Sequence, residues 1–129
     1  MERFCTLFAA INGFLAVALG AFGAHGLKAS VASLPPEEAA KILGWVDTGA
    51  KYQLIHAAAL LALAALWPRL APAPATLAAH GFAWGALVFS LPLYAMALGA
   101  PRWLGAVTPL GGLGLLLGWA ALGWSAWKA

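Results

Sequence analysis

The sequence predicts an all-α integral membrane protein, a compact four-helix transmembrane bundle with a short amphipathic surface helix between spans one and two. Of the 129 residues, 64% are hydrophobic and only 9% are charged, whereas soluble domains carry about 25% charged residues. The apolar residues fall into four runs, and each approaches the roughly 20 residues that a helix needs to cross a bilayer. We therefore expect one transmembrane domain, residues 1–129, with the lipid bilayer as its surroundings.

Charged residues and prolines interrupt the apolar runs and set the expected bounds of the spans. The predicted spans are residues 4–27, 49–67, 75–98 and 108–127. Lys28 ends the first span, and Pro68 with Arg69 ends the second. In span four, Thr108 as N-cap followed by Pro109 at the first helical position would be a favoured helix start.

The first loop is the only long one, and it carries the signal of a further helix. Pro36 stands before Glu37 and Glu38, and acidic residues favour the first turn of a helix. Apolar residues then recur at helical spacing as far as Gly49. This pattern predicts an interfacial helix over residues 36–48 that lies at the membrane surface and runs into span two.

Helices in a bilayer associate through close packing, and the sequence supplies small residues four positions apart for it. The predicted packing residues are Ala16, Gly20 and Ala24 in span one, Gly81 and Gly85 in span three, and Gly114 and Gly118 in span four. Pro92 removes a backbone donor within span three, so a kink is expected there.

Charge and cysteine content exclude several classes of function. The seven Lys and Arg residues are scattered and form no basic stripe, so nucleic acid is not an expected partner. Cys5 is the only cysteine, which excludes an intrachain disulfide and a paired-cysteine metal site. With the terminal amine counted, four positive groups lie at each membrane face, so they do not decide orientation.

Polar residues gather in the half of the membrane that faces loops one and three. The candidate ligand-binding residues there are His25, Tyr52, Gln53, His56, Thr108, Gly111 and Gly112. Ionisable groups at membrane depth are functional candidates by default, and the start of span four exposes N–H groups. The alternative is purely structural: His25 sits in the interface, His56 bonds to a neighbouring helix, and Asn12 joins helices. No catalytic constellation, zinc-motif spacing or cofactor motif is present.

Four blocks of the chain carry a resemblance to a known family. They are Asn12–Lys28 (NGFLAVALGAFGAHGLK), Thr48–Leu61 (TGAKYQLIHAAALL), Ser90–Leu98 (SLPLYAMAL) and Leu104–Trp119 (LGAVTPLGGLGLLLGW). In this order they resemble the domain-of-unknown-function 423 family, also called transmembrane-protein-256-like. The resemblance covers nearly the whole chain and implies a small multi-span membrane protein. It implies no activity, and it assigns no functional residue.

Two hypotheses of function follow. The first is a structural or accessory protein of the cell membrane that packs against itself or against another membrane protein. The second is a protein that binds or conducts a small solute or a proton at a polar site near His25 and His56. An enzyme ranks third. A water-accessible cavity beside His56 would favour the second hypothesis, and a solid bundle with an apolar outer groove would favour the first.

Overall fold

The computed structural model describes all 129 residues and confirms the all-helical, four-span fold. The span helices comprise Glu2–Phe22, Pro36–Leu66, Pro72–Ala97 and Thr108–Trp127. Span one continues through a π-helical turn, Gly23–Leu27, into a last α-helical turn, Lys28–Ser30. Short 3-10 helices, Trp67–Arg69 and Arg102–Ala106, lie in the second and third loops.

Prolines and one glycine mark the ends of the helices. Pro36, Pro72 and Pro109 each stand in the first turn of a span, where a missing N–H costs nothing. Gly99, with φ of +97°, follows span three, and its N–H donates to the carbonyl of Met96. A left-handed residue just past a helix is a common C-terminal stop, and glycine adopts it without strain.

The segment predicted as an interfacial helix running into span two is helical and continues into that span without a break. Residues 36–48 are helical, but they belong to the same 31-residue helix as span two. No proline or turn separates the two segments, and the apolar residues of the first segment pack against span one. Val46 lies in a small apolar core with Leu27 and Tyr94. The amphipathic pattern therefore reflects packing on a neighbouring helix.

The four spans pack in chain order, with spans two and three in the centre. Span one packs on span two, span two on span three and span three on span four, while spans two and four make few direct contacts. The main core lies where spans one, two and three meet and also receives Ala121 of span four. Leucines and aromatic residues on the outer faces of spans one and four are exposed, and these faces contact lipid.

Glycines line the contact between spans three and four, which is the most extensive of the bundle. A Cβ added at Gly81 would lie 2.8 Å from the carbonyl oxygen of Gly114, and one added at Gly118 would lie 2.7 Å from the Phe82 ring. Gly85 lies similarly close to the backbone of Leu115. The two backbones thus approach closely without side chains between them. Pro92 lies inside span three, which continues as a helix to Ala97.

Thr108 does not cap span four, which corrects the predicted helix start. It is itself the first residue of the helix, and Val107 before it already has helical dihedral angles. The preceding 3-10 helix leads directly into span four, so the extended backbone that an N-cap requires is absent. The buried Thr108 hydroxyl has no hydrogen-bond partner.

The contact between spans one and two predicts that alanine substitutions at two nearby glycines have different effects on stability. A Cβ at Gly20 would lie 3.4 Å from the Ala50 Cβ, whereas one at Gly23 would lie 2.6 Å from Val46 Cγ1. Gly20→Ala should therefore leave the free energy of unfolding within about 0.5 kcal/mol of the parent. Gly23→Ala should lower it by about 1–3 kcal/mol through overpacking. Thermal melting in detergent measures both, and equal melting temperatures would contradict the close contact at Gly23.

Candidate functional site

His56 lies near the middle of span two with both ring nitrogens in hydrogen bonds. The indole N–H of Trp119 in span four donates to His56 Nε2 at 3.1 Å. Because an indole can only donate, Nε2 must be the unprotonated nitrogen. Nδ1, which lies 2.7 Å from the Tyr52 carbonyl oxygen, therefore carries the proton and donates it. The ring is thus held as one neutral tautomer, and it joins span two to span four.

An apolar groove of about 560 Å³ opens on the outer surface beside this hydrogen bond. It exists because spans two and four both pack on span three and leave a gap between them. Tyr52 and His56 form one wall, Phe89 of span three lies between, and span four supplies Gly112 and Trp119 among others. Three of the predicted ligand-binding residues, Tyr52, His56 and Gly112, share this groove. Its position and lining allow it to receive an apolar group from within the bilayer.

His25 does not share a site with His56. Gly13 lies beside Ala57 and Gly20 beside Ala50, so spans one and two are antiparallel with His56 level with about residue 14. His25 lies about 11 residues, or roughly 17 Å, farther along span one. Its side chain is exposed on the π-helical turn. The sequence placed both histidines at the same membrane face, but the depth of each along its helix separates them.

Gln53 points away from the groove toward spans one and three, where it belongs to a buried hydrogen-bonded chain. The Tyr94 hydroxyl donates to Gln53 Oε1 at 2.8 Å, and Gln53 Nε2 donates to Asn12 Oδ1 at 3.1 Å. Asn12 in turn donates to the Phe8 carbonyl at 2.9 Å. Asn12 and Gln53 are fully buried. This chain links spans one, two and three.

Sequence reasoning did not include Asn12, Tyr94 or Ser90 among the candidate site residues. Ser90 Oγ donates to the Gly49 carbonyl at 2.8 Å and adds a second polar link between spans two and three. All three are polar residues in otherwise apolar runs, and that was the available signal. What the sequence lacks is the register that pairs them.

The two remaining candidates lie outside the groove lining. Gly111 is buried against the backbone of Val88 and Phe89, where an added Cβ would lie 2.2 Å from the Phe89 nitrogen. It is a contact between helices and leaves no room for a ligand. Thr108 also does not line the groove. No three His, Cys, Asp or Glu side chains come together as a metal ion would require.

Comparisons with known proteins find similarity to membrane proteins and to a family of unknown function. The model of the family described as "Protein of unknown function (DUF423)" matches residues 19–112. The chain is 40% identical over 121 residues to UPF0382 inner membrane protein YgdD of Escherichia coli K12, covering 94% of this chain and 87% of the relative. It is 39% identical over 128 residues to a UPF0382 membrane protein of Haemophilus influenzae, covering 99% and 96%. UPF0382 membrane protein YwdK of Bacillus subtilis is 36% identical over 114 residues, covering 88% and 87%. No solved structure matches.

Proposed function

The chain belongs to the DUF423 family of membrane proteins, and we propose that it is an accessory protein that packs against a transmembrane helix of a partner in the cell membrane. The proposal rests on the hydrogen bonds that the buried polar side chains make. Inside the bundle the buried polar side chains bond to one another or to backbone, and only the Thr108 hydroxyl lacks a partner. Polar groups used in this way stabilise the bundle rather than line a path across it.

The groove between spans two and four supports a helix as the occupant. It lies in the membrane-spanning part, and its lining is mainly apolar and aromatic. Gly112 has no side chain to fill the groove, and even a Cβ added there would lie 3.8 Å from the Phe89 ring. Small residues let a second helix approach closely, and such packing drives association in lipid. The relative in Escherichia coli is named an inner membrane protein, which supports the cell membrane as the location.

Photo-crosslinking in intact cells tests this function. A photoreactive residue at Leu116, which lines the groove, should give adducts with one defined protein. The same residue at Phe14, which is 74% exposed on the outer face of span one, serves as the control and should give lipid adducts only. Gly112→Phe should fill the groove and abolish the protein adduct at Leu116. Adducts of twice the chain mass would identify the partner as a second copy, and lipid adducts alone at both positions would overturn the proposal.

A second candidate function, binding of a small apolar solute, rests on the three predicted residues that share the groove. Tyr52, His56 and Gly112 would bind it from the lipid side, with His56 held neutral by Trp119. His56→Phe keeps an aromatic ring at this position but removes both ring nitrogens and their hydrogen bonds. If this variant lost a binding or transport phenotype while Phe14→Leu kept it, the solute site would be favoured over the accessory role.

A further inference from the structure

A second concave surface lies between spans one and two, on the side that carries loops one and three. It is a cleft of about 320 Å³. Span one contributes Gly20, Gly23, Ala24 and Lys28, and span two contributes Leu43, Val46, Asp47 and Ala50. The groove beside His56 shares none of these residues. The cleft combines two opposite charges with an apolar floor.

The cleft lies at the edge of the hydrocarbon layer. About 20 helical residues cross the roughly 30 Å of hydrocarbon. Counted from Arg3, this length reaches Gly23 in span one, and counted back from Leu66 it reaches Val46 in span two. Gly23 and Val46 are also in direct contact. The two helices therefore leave the hydrocarbon at the same level, and the cleft extends from there toward the lipid headgroups.

The register of spans one and two places Lys28 five to six residues, or roughly 8 Å, farther from the hydrocarbon than Asp47, and the lean of the two side chains reduces this difference. A side chain in a helix leans toward the N-terminus of that helix. Because the two helices are antiparallel, Lys28 leans toward the membrane and Asp47 leans away from it. Lys28 has no carboxylate within 4 Å, and Asp47 makes only an exposed contact with Lys51 at 3.4 Å. Exposed ion pairs of this kind are weak, so both charges are available to a ligand.

The π-helical turn forms one wall of the cleft and brings it close to span two. Gly23 and Ala24 belong to this turn, and Lys28 follows it directly. A Cβ at position 23 would lie 2.6 Å from Val46 Cγ1, so the glycine there lets this wall approach span two closely. Single π-helical turns are frequent at functional sites. On this wall a ligand would therefore meet mainly backbone atoms and the ammonium group of Lys28, because the other residues have small side chains or none.

We propose that this cleft binds the headgroup of a zwitterionic phospholipid with a primary ammonium, phosphatidylethanolamine. Lys28 contacts the phosphate, and Asp47 contacts the ammonium. The floor formed by Leu43, Val46 and Ala50 covers the apolar part of the lipid next to the headgroup. One positive and one negative group on facing walls complement a ligand that carries both charges. An anionic headgroup would pair with Lys28 but would offer no positive group to Asp47.

Native mass spectrometry of the full chain with defined lipids tests the proposal. Phosphatidylethanolamine should bind about fivefold more tightly than phosphatidylglycerol, the factor expected of one exposed ion pair at the upper end of its strength. Phosphatidylcholine, whose quaternary ammonium keeps the charge but donates no hydrogen bond to Asp47, should lie between the two. Asp47→Asn should remove this preference, whereas Lys28→Gln should weaken the binding of phosphatidylethanolamine and phosphatidylglycerol alike, because both carry the phosphate. Lys41→Gln is the control, because Lys41 is exposed, lies outside the cleft and is on the same helix as Asp47; this variant should keep the lipid preference. Ala24→Leu should reduce the binding of all three lipids by filling the cleft.

Each outcome has a defined consequence. All four substituted side chains are exposed, so the variants should melt like the parent, and melting in detergent checks this. Equal or tighter binding of phosphatidylglycerol would overturn the proposal, as would unchanged lipid preference in Asp47→Asn or unchanged lipid binding in Lys28→Gln. If phosphoethanolamine without acyl chains bound as tightly as the lipid, the ligand would be a free zwitterion, and the assignment to a lipid would be wrong.

Discussion

Gly111→Ala should separate spans three and four and give the largest loss of stability of any single methyl group added to this chain. The new Cβ would lie 2.2 Å from the Phe89 nitrogen and 2.6 Å from its Cα. These are backbone atoms within span three, so no side-chain rotation relieves the overlap. Overpacking typically costs 1–3 kcal/mol and occasionally more. Alanine gains about 1 kcal/mol of helix propensity over glycine, which is too little to offset it, and we expect a net loss of about 3 kcal/mol.

The next residue provides the matched control. A Cβ at Gly112 would meet only the edge of the Phe89 ring, at 3.8 Å. Gly112→Ala should therefore gain the helix propensity without the overlap and melt at or slightly above the temperature of the parent. Reversible unfolding in mixed detergent micelles measures both variants. A Gly111→Ala protein as stable as Gly112→Ala would show that spans three and four are not in the described contact.

Gln53→Met should give the second large effect, because it breaks a chain of hydrogen bonds in the middle of the bundle. The change keeps the length of the side chain but removes the acceptor for Tyr94 and the donor for Asn12. Each buried group left unpaired costs about 1–3 kcal/mol in proteins generally, although hydrogen bonds measured within membranes average nearer 0.6 kcal/mol. Between these limits we expect a loss of about 2 kcal/mol.

A double-mutant cycle separates this effect from a simple change of packing. Tyr94→Phe removes the hydroxyl that Gln53→Met would leave unpaired. The double variant should therefore lose less stability than the sum of the two single variants, with a coupling of at least about 0.5 kcal/mol. Leu54→Met, at a half-exposed neighbouring position, is the control and should change little. Strict additivity would mean that the two side chains are not bonded.

The four spans could be predicted because hydrophobic length alone specifies them. The segment 36–48 was harder, since one amphipathic pattern suits both a helix lying on the membrane and a helix standing against a neighbour. The outcome depended on span one, whose Leu27 packs with Val46. Leu27 lies within the predicted first span, but the sequence alone does not give the register that makes Val46 its neighbour.

The site was predictable only as a set of residue types. His56 stood out as an ionisable residue in an apolar run, but its partner Trp119 did not, because a tryptophan in a span has many other uses. The pairing of Gln53 with Asn12 depends on the register between two helices that are 41 positions apart at this contact. The sequence gives the membrane face of His25 but not its depth, and the depth separated it from His56.

The length of the helices in spans one and two also determines where aqueous molecules meet this protein. The 31 residues of Pro36–Leu66 extend about 46 Å, against a hydrocarbon layer of about 30 Å. Roughly 15 Å of this helix, together with the end of span one, extends beyond the hydrocarbon layer on one side. An antibody, protease or soluble protein would therefore meet this pair of helices as a folded epitope on the side that carries loops one and three.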